Sequence, residues 1–578
     1  MLQPTQHPVL RLATLTVLAL AILVAPNSAN AQAQTADLVF LNGTIYTADA
    51  AHPRAQAVAV RDGRIVFVGS TREARRMAGA GTRVVDLEGK AMIPGMIDSH
   101  GHVTSLGSAL QNVDLVGTRS FAEIVGRMTA RAAEAPGTGW LQGRGWDQNE
   151  WTDTRFPNHR ILTEAVPNRP VALGRVDGHA LIVNQAALEA AGIDRATQDP
   201  AGGRILRDDN GDATGVLIDN AMDLVFSVIP APSPAEIREG IMLAQTELNR
   251  VGLTSTGDAG VSRGEIEVYE QMARADELTF RSNVMVAAGS DLNFSLDRGP
   301  LFDVGGKGRL SVAAIKVSID GALGSRGAAL LEEYSDEPGH DGLLLVQPEA
   351  LTAVAEEAAR TGFQLNVHAI GDRGNRIVLD VFEDVLGRNN IADHRWRIEH
   401  AQILHRFDIP RFAELGVIPS MQAIHQASDM AWVPNRIGYS RLLGTYAWRS
   451  LIESGVIIAG GSDFPVESPD PLLSFHAAVT RQNGDDWPTG GWFPEQRMTR
   501  DEALLHLTAW GAFAARQEDA VGSITEGKWA DLVVLSEDIM TVPGERILDA
   551  RVLMTVVGGD VVYDAANAMH PISEQGAG

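Results

Sequence analysis

The chain has 578 residues, 45% of them hydrophobic and 21% charged, the balance of a soluble globular protein with room for one large domain and attachments or for three ordinary ones. A formal net charge of -25 argues against nucleic acid or an anionic membrane as partner. The cysteine count is 0, which excludes disulfides, thiol catalysis and a lipid-modified cysteine, so any metal site must draw on His, Asp, Glu or something less usual.

Leu12 to Ala25 is an apolar run too short for a comfortable membrane span, with Arg11 before it. Ala29-Asn30-Ala31 fits a small-x-small cleavage site, so residues 1–31 read as a signal peptide. The expectation is an exported protein, periplasmic or secreted, with no stable membrane anchor after cleavage. An uncleaved anchor is the alternative.

Short strand signals follow. Ala57 to Gly69 is two apolar-rich runs about Asp62-Gly63, a strong hairpin signal. Residues 528–536 and 552–564 repeat that style near the other end, with Gly558-Gly559 as the turn. Both ends therefore predict one small β-sandwich, residues 36–92 with 520–570, closed by neighbouring termini. Between them, eight apolar runs (92–102, 252–260, 281–289, 313–321, 363–372, 395–402, 416–423 and 455–466) read as strands, several separated by helical stretches. The fold class is thus α/β, a (β/α)8 TIM-type barrel over 93–519, with an open doubly wound sheet as alternative. Residues 103–251 are too long for a βα loop and read as a subdomain inserted between barrel strands 1 and 2. Within it, "RDDNGDATG" lacks the glutamate that closes a calcium loop and reads as a hairpin turn.

Barrel active sites lie at the C-terminal ends of the strands. There the sequence places His100 and His102, His368, His400 and Asp463, each where an apolar run stops. Imidazole is the commonest metal ligand, and convergence of these groups on one rim points to a metal. Alternation puts Asp98, His100 and His102 on one face. Asp98 then orients a histidine from behind or caps the strand end. Lys316 lies mid-strand and shares a face with Ser318 and Asp320; a salt bridge is its plain reading.

The motifs "PGMIDSHGH", "AIKVSIDGALGSRGA", "NVHAIGD", "RIEHAQ" and "GSDFPV", in this order and spacing, resemble the amidohydrolase superfamily, and more narrowly its family 3, the YtcJ-like group that includes N-substituted formamide deformylases. The resemblance covers nearly the whole mature chain and implies one or two divalent metal ions, foremost zinc. It implies that Lys316 is N6-carboxylated and bridges two metals, that His100 and His102 hold one, and that His368 and His400 hold the other. It makes Asp463 both a ligand and a proton carrier.

A metal lowers the pKa of its water to about 7, supplying hydroxide to attack a carbonyl carbon. The expected reaction is hydrolysis of a non-peptide carbon–nitrogen bond, in a linear amide or formamide-like small molecule, with Asp463 as proton shuttle. An ester, lactone or organophosphate is the alternative for the same centre; a non-catalytic binding protein is the third reading. His179 is a candidate for the substrate carbonyl or a structural histidine. Trp146, with Trp140 and Trp151, is a candidate apolar wall or subdomain core. Arg326 and Asp320 are candidate substrate contacts, Arg326 for a carboxylate. A homo-oligomer is compatible with the sequence.

Overall fold

The computed structural model describes residues 35–568 apart from 136 and 290. The expected signal peptide, residues 1–31, lies outside the described residues. Among the described residues no helix is long and apolar enough to cross a membrane.

Eight parallel strands form the central sheet, each joined in order to the next: β1 Met96–Gly101, β2 Leu253–Val261, β3 Arg281–Ala287, β4 Leu310–Ser318, β5 Gln364–Ala369, β6 Arg397–His400, β7 Ile418–Gln422 and β8 Ala459–Gly461. Each overlaps one of the eight apolar runs. β8 meets β1 through hydrogen bonds just past its end: the Asp463 amide donates to the His100 carbonyl at 2.8 Å, and the Ser462 amide to the Asp98 carboxylate at 2.9 Å. The sheet is a barrel, not an open doubly wound layer. Helices such as Pro348–Thr361 and Asp372–Asn389 pack their apolar faces outside it in one continuous core.

Two further sheets form the sandwich. One has four strands, all from residues 38–86. In the other, Leu532–Leu535 from the far end pairs antiparallel with Ala91–Pro94, Val533 opposite Ile93. Asp62 and Gly63 both have positive φ (50° and 74°), and so do Gly558 and Gly559 (58° and 84°), as two-residue hairpins of the I′ type require. Leu38, Phe40, Val58, Val60, Met92, Leu532, Val534 and Val556 fill the space between the sheets.

The long span after β1 begins and ends in helices, Val103–Gln111 and Pro234–Arg250. They pack so closely that a Cβ on Gly107 would fall 2.2 Å from the Gly240 carbonyl oxygen. Between them lies a six-stranded sheet over residues 113–219. Helices Phe121–Glu134 and Arg160–Ala165 cover one face of it, and Gln185–Ala190 the other. Its last two strands, Gly203–Arg207 and Ala213–Asp219, are antiparallel, and the "RDDNGDATG" segment makes the turn between them.

Barrel and sandwich are joined by a buried ion pair. Arg281 on β3 gives two hydrogen bonds of 2.7 Å to Asp531, which also accepts the Gly558 amide. Arg281 and Asp531 are 1% and 3% exposed at the side chain. Removing one member of such a pair strands the other charge, at about 3–5 kcal/mol. Asp531→Ala is therefore expected to lower unfolding stability by about that amount, read from urea denaturation.

Candidate metal centre

The C-terminal ends of the barrel strands open into a cavity of about 790 Å³, roofed by residues 114–117, 144–150 and 175–179 of the inserted sheet. His100, His102, Lys316, His368, His400 and Asp463 all line it. The rings of His100 and His400 are 4.8 Å apart at their centroids, and those of His368 and His400 are 4.5 Å apart.

His100 is held from beneath. Its Nδ1 lies 2.5 Å from Glu399, whose other oxygen accepts from Arg397 at 2.6 Å. All three are buried. Burial opposes the charge on Glu399, but Arg397 and His100 outweigh it and hold the carboxyl well below the usual range. A carboxylate accepts, so Nδ1 carries the proton and Nε2 keeps its lone pair. Burial and the nearby Lys316 cation push the His100 imidazole down to about 4, which keeps it neutral. Its Nε2 sits 3.0 Å from Lys316 Nζ and 3.5 Å from Asp463 Oδ1.

His102 follows β1 and caps the start of the next helix; its Nδ1 lies 2.9 Å from the Ala259 carbonyl and its Nε2 3.0 Å from Asp463 Oδ1. Burial raises Asp463, but hydrogen bonds from His102 and His425 outweigh it and leave the carboxyl well below its ordinary value. Asp463 and His400 both have positive φ, 61° and 73°. Such conformations cost non-glycine residues about 1–3 kcal/mol and gather at functional sites. At His400 the effect is direct. Alternation would put it opposite Glu399, and the positive φ re-aims it, so that both face the interior.

Among the described residues Lys316 forms no ion pair: its Nζ lies 3.0 Å from His100 Nε2, and the Asp320 carboxylate is taken up by backbone amides. Burial pushes the Lys316 ammonium down to about 8. His179 hangs from the inserted sheet with Nδ1 2.6 Å from Asp219, its ring 5.1 Å from that of His368. Burial opposes charge on His179, but Asp219 outweighs it and raises the imidazole.

Four candidate residues take structural places. Trp146 is fully buried in the core of the insertion, its indole donating to the Leu173 carbonyl at 2.8 Å, so it makes no wall of the cavity; Trp432 lines it instead. Arg326 is paired with Asp336 and Glu337, away from the cavity. Asp320 is fully buried, its carboxylate spent on the amides of Ala329, Ile370 and Gly371. Asp98 touches no imidazole: it accepts from the His100 amide and from Ser462, and burial raises it to about 7. The group behind His100 is Glu399.

His425, three residues past β7, went unread in the sequence. Its Nε2 lies 3.5 Å from Asp463 Oδ2 and its Nδ1 3.1 Å from Glu467. Burial lowers it, but Asp463 and Glu467 outweigh that and lift it to about 10, so positive charge is favoured between those carboxylates. Arg144 is a second addition. It reaches the cavity from the inserted sheet and donates to the Val176 carbonyl at 3.0 Å, whereas the neighbouring Arg175 is held by Asp147, Asp177 and Gln148.

The donor set suits a divalent cation. His100, His102 and Asp463 bring nitrogen and oxygen atoms within 4.8 Å of one another, and the buried Nε2 of His368 has no hydrogen-bond partner. A (β/α)8 barrel carrying imidazoles, a lysine and a carboxylate around one mouth defines a metal-dependent hydrolase. This chain belongs to the amidohydrolase family, whose model matches residues 83–563. It is 35% identical to protein LONG AFTER FAR-RED 3 of Arabidopsis thaliana, over 91% of this chain and 92% of that one. It is 33% identical to the amidohydrolase YtcJ assigned in Bacillus subtilis, over 91% and 99% of the two chains. It is 29% identical to N-substituted formamide deformylase of Arthrobacter pascens, over 92% and 99%. A solved metal-dependent hydrolase of Pyrococcus horikoshii shares the fold with a TM-score of 0.71 and 27% identity, over 88% of this chain and 99% of that one.

Groups that orient a ligating histidine change metal affinity by about 10–100-fold when lost. Glu399→Gln is accordingly expected to weaken metal binding by about that factor, measured by competition with a chromophoric chelator.

Proposed function

We propose that this amidohydrolase cleaves the carbon–nitrogen bond of a linear, formamide-like amide. The observation that carries the reading is the placement of Asp463, with His100 and His102 on one side, in a cavity sized for a small molecule. The similarity to a formamide deformylase supports the choice of bond.

His100, His102 and Asp463 would hold the reactive cation, with Lys316, His368 and His400 completing the ring. A bound divalent metal, zinc foremost, would supply water acidified to about pKa 7 and polarise the carbonyl. Asp463, an ionised carboxylate, accepts the proton as the water oxygen adds to the carbonyl carbon. It returns that proton to the nitrogen as the C–N bond breaks, releasing an amine and a carboxylic acid. His179, oriented by Asp219, offers Nε2–H to the developing oxyanion. The inserted sheet roofs the cavity and limits water around the reacting atoms. A lysine amine held near pKa 8 has a neutral fraction able to take up carbon dioxide, which supports carboxylation of Lys316. The apolar leader and the cysteine count of 0 support action outside the cytoplasm on a small molecule.

The test is a panel of an N-alkyl formamide, a matched ester and a lactone, run with zinc, iron, manganese or nickel restored to chelator-stripped protein. Turnover of the formamide above the others, abolished by chelation, is expected. Ester or lactone turnover without amide turnover would move the reaction to a carbon–oxygen bond. Asp463→Asn should lower kcat by about 10²–10⁴-fold, the range of a lost general acid–base, with an unchanged circular dichroism spectrum.

A further inference from the structure

We propose that Arg144 is a specificity-determining residue: its guanidinium takes up a carboxylate on the substrate, so the amides cleaved are those that carry a carboxylate a few bonds from the scissile carbonyl. The inference rests on the reading of the barrel mouth as an amide-cleaving site and adds which amides enter it.

Arg144 sits on the inserted strand Leu141–Trp146 and lines the cavity. Its Nη2 donates to the Val176 carbonyl at 3.0 Å; among the described residues its side chain has no other hydrogen-bond partner and no ion pair. A guanidinium has five N–H donors, so four remain. Arg175, one strand over, shows the opposite case: it is buried, and Asp147, Asp177 and Gln148 take up its fork. A cation held inside protein without an anion is costly, and a ligand that brings the anion removes that cost. The buried carboxylates of the wall are already spent. Asp147 and Asp177 hold Arg175, Asp429 accepts from Tyr446 and Gln402, and Glu467 is taken up by Ser428 and His425. Asp114 and Glu150 are exposed to solvent.

The turn after Arg175 fixes where such a ligand lies. Val176 braces Arg144, and Gly178, with a φ of 73°, is so near that a Cβ on it would stand 3.8 Å from Arg144 Nη2. The next residue is His179, whose ring is 5.1 Å from that of His368. One turn therefore holds the guanidinium and presents the imidazole assigned to the oxyanion. A substrate that meets both has its anion close to its carbonyl. Burial pushes the Arg144 guanidinium below its ordinary value, opposed by the charges of Asp463 and Asp177. Those carboxylates also limit the charge of the ligand. A single guanidinium near them suits a monoanion over a phosphate dianion, and a carboxylate fits its fork with two parallel hydrogen bonds.

The test uses the metal-loaded full-length enzyme. N-formylglycine, N-formyl-β-alanine and N-formyl-γ-aminobutyrate are each assayed beside the N-alkylformamide of the same length, with N-formylethylenediamine as the cationic control. In wild type at least one carboxylate should exceed its neutral match by about 10–100-fold in kcat/KM, the worth of a charge-assisted hydrogen bond. KM should carry most of that difference. Arg144→Gln should erase the ratio. Arg144→Lys keeps the charge without the fork, should leave the ratio reduced, and covers the case in which Arg144→Gln does not fold. A purely structural Arg144 would slow both members of a pair alike in the variants and keep the ratio, which would overturn the inference. So would a wild type without the ratio, or one that favours N-formylethylenediamine. Where the enzyme leaves every formamide intact, the same pairs are titrated into it by calorimetry. Tighter binding of the carboxylate by wild type and not by Arg144→Gln would count against the proposed bond and leave the anion site standing; equal binding would overturn both.

Discussion

One carboxylate deep in the barrel sets the terms for everything above it. Glu399 has no exposure, and it lies between the Arg397 guanidinium and the His100 imidazole. Burying a charge is tolerated when every lone pair is used, and here the compensation comes from two neighbours that are themselves buried. Arg397 also reaches the Ser99 carbonyl on β1 and the Ser420 hydroxyl on β7. The pair therefore ties three strands of the barrel together across its interior. It also fixes which nitrogen of His100 faces the cavity. Stability of the closed sheet and readiness of the metal centre are consequences of the same contacts.

Around that base the polypeptide divides its tasks. β1, β5, β6 and the segments just past β1, β7 and β8 bring ligand-type groups, and β4 brings the buried lysine. The inserted sheet brings His179 and Arg144 from the opposite side, each carried on its own supporting element. His179 is anchored by Asp219, a neighbour on the adjacent strand of the insertion, and not by any barrel residue. The reacting groups thus sit on or just past the barrel strands, and the groups that meet the substrate sit on a separate layer that can vary without disturbing them.

Much of this was legible in the residues. Apolar runs ending in His100, His368, His400 and Asp463 marked both the strands and the rim, because parallel barrel strands are buried on both faces and read as continuous hydrophobic stretches. Asp62-Gly63 and Gly558-Gly559 marked two turns by their backbone requirement alone. Four candidates that take structural places share one trait. Asp98, Asp320, Trp146 and Arg326 were polar or aromatic residues close in sequence to the site, and proximity along the chain does not say where a side chain spends its hydrogen bonds. Each spends them on backbone or on a loop partner. His425 and Arg144 were missed for the converse reason. One follows its strand by three residues inside a helical turn, and the other lies on a sheet far from the barrel in sequence. Arg397 and Glu399 did carry a signal: two opposite charges at alternate positions of a buried strand almost require each other and a third partner.

The sandwich has a consequence for biosynthesis. Its second sheet needs Leu532–Leu535 between Ala91–Pro94 and Val552–Val557, so one edge of Ala91–Pro94, whose other edge pairs with Thr44–Tyr46, stays open until the whole barrel has been made. An emerging chain must therefore carry an open hydrogen-bonding edge through most of translation, and loss of the chain from Leu532 onward would expose the beginning of the molecule as well as its end.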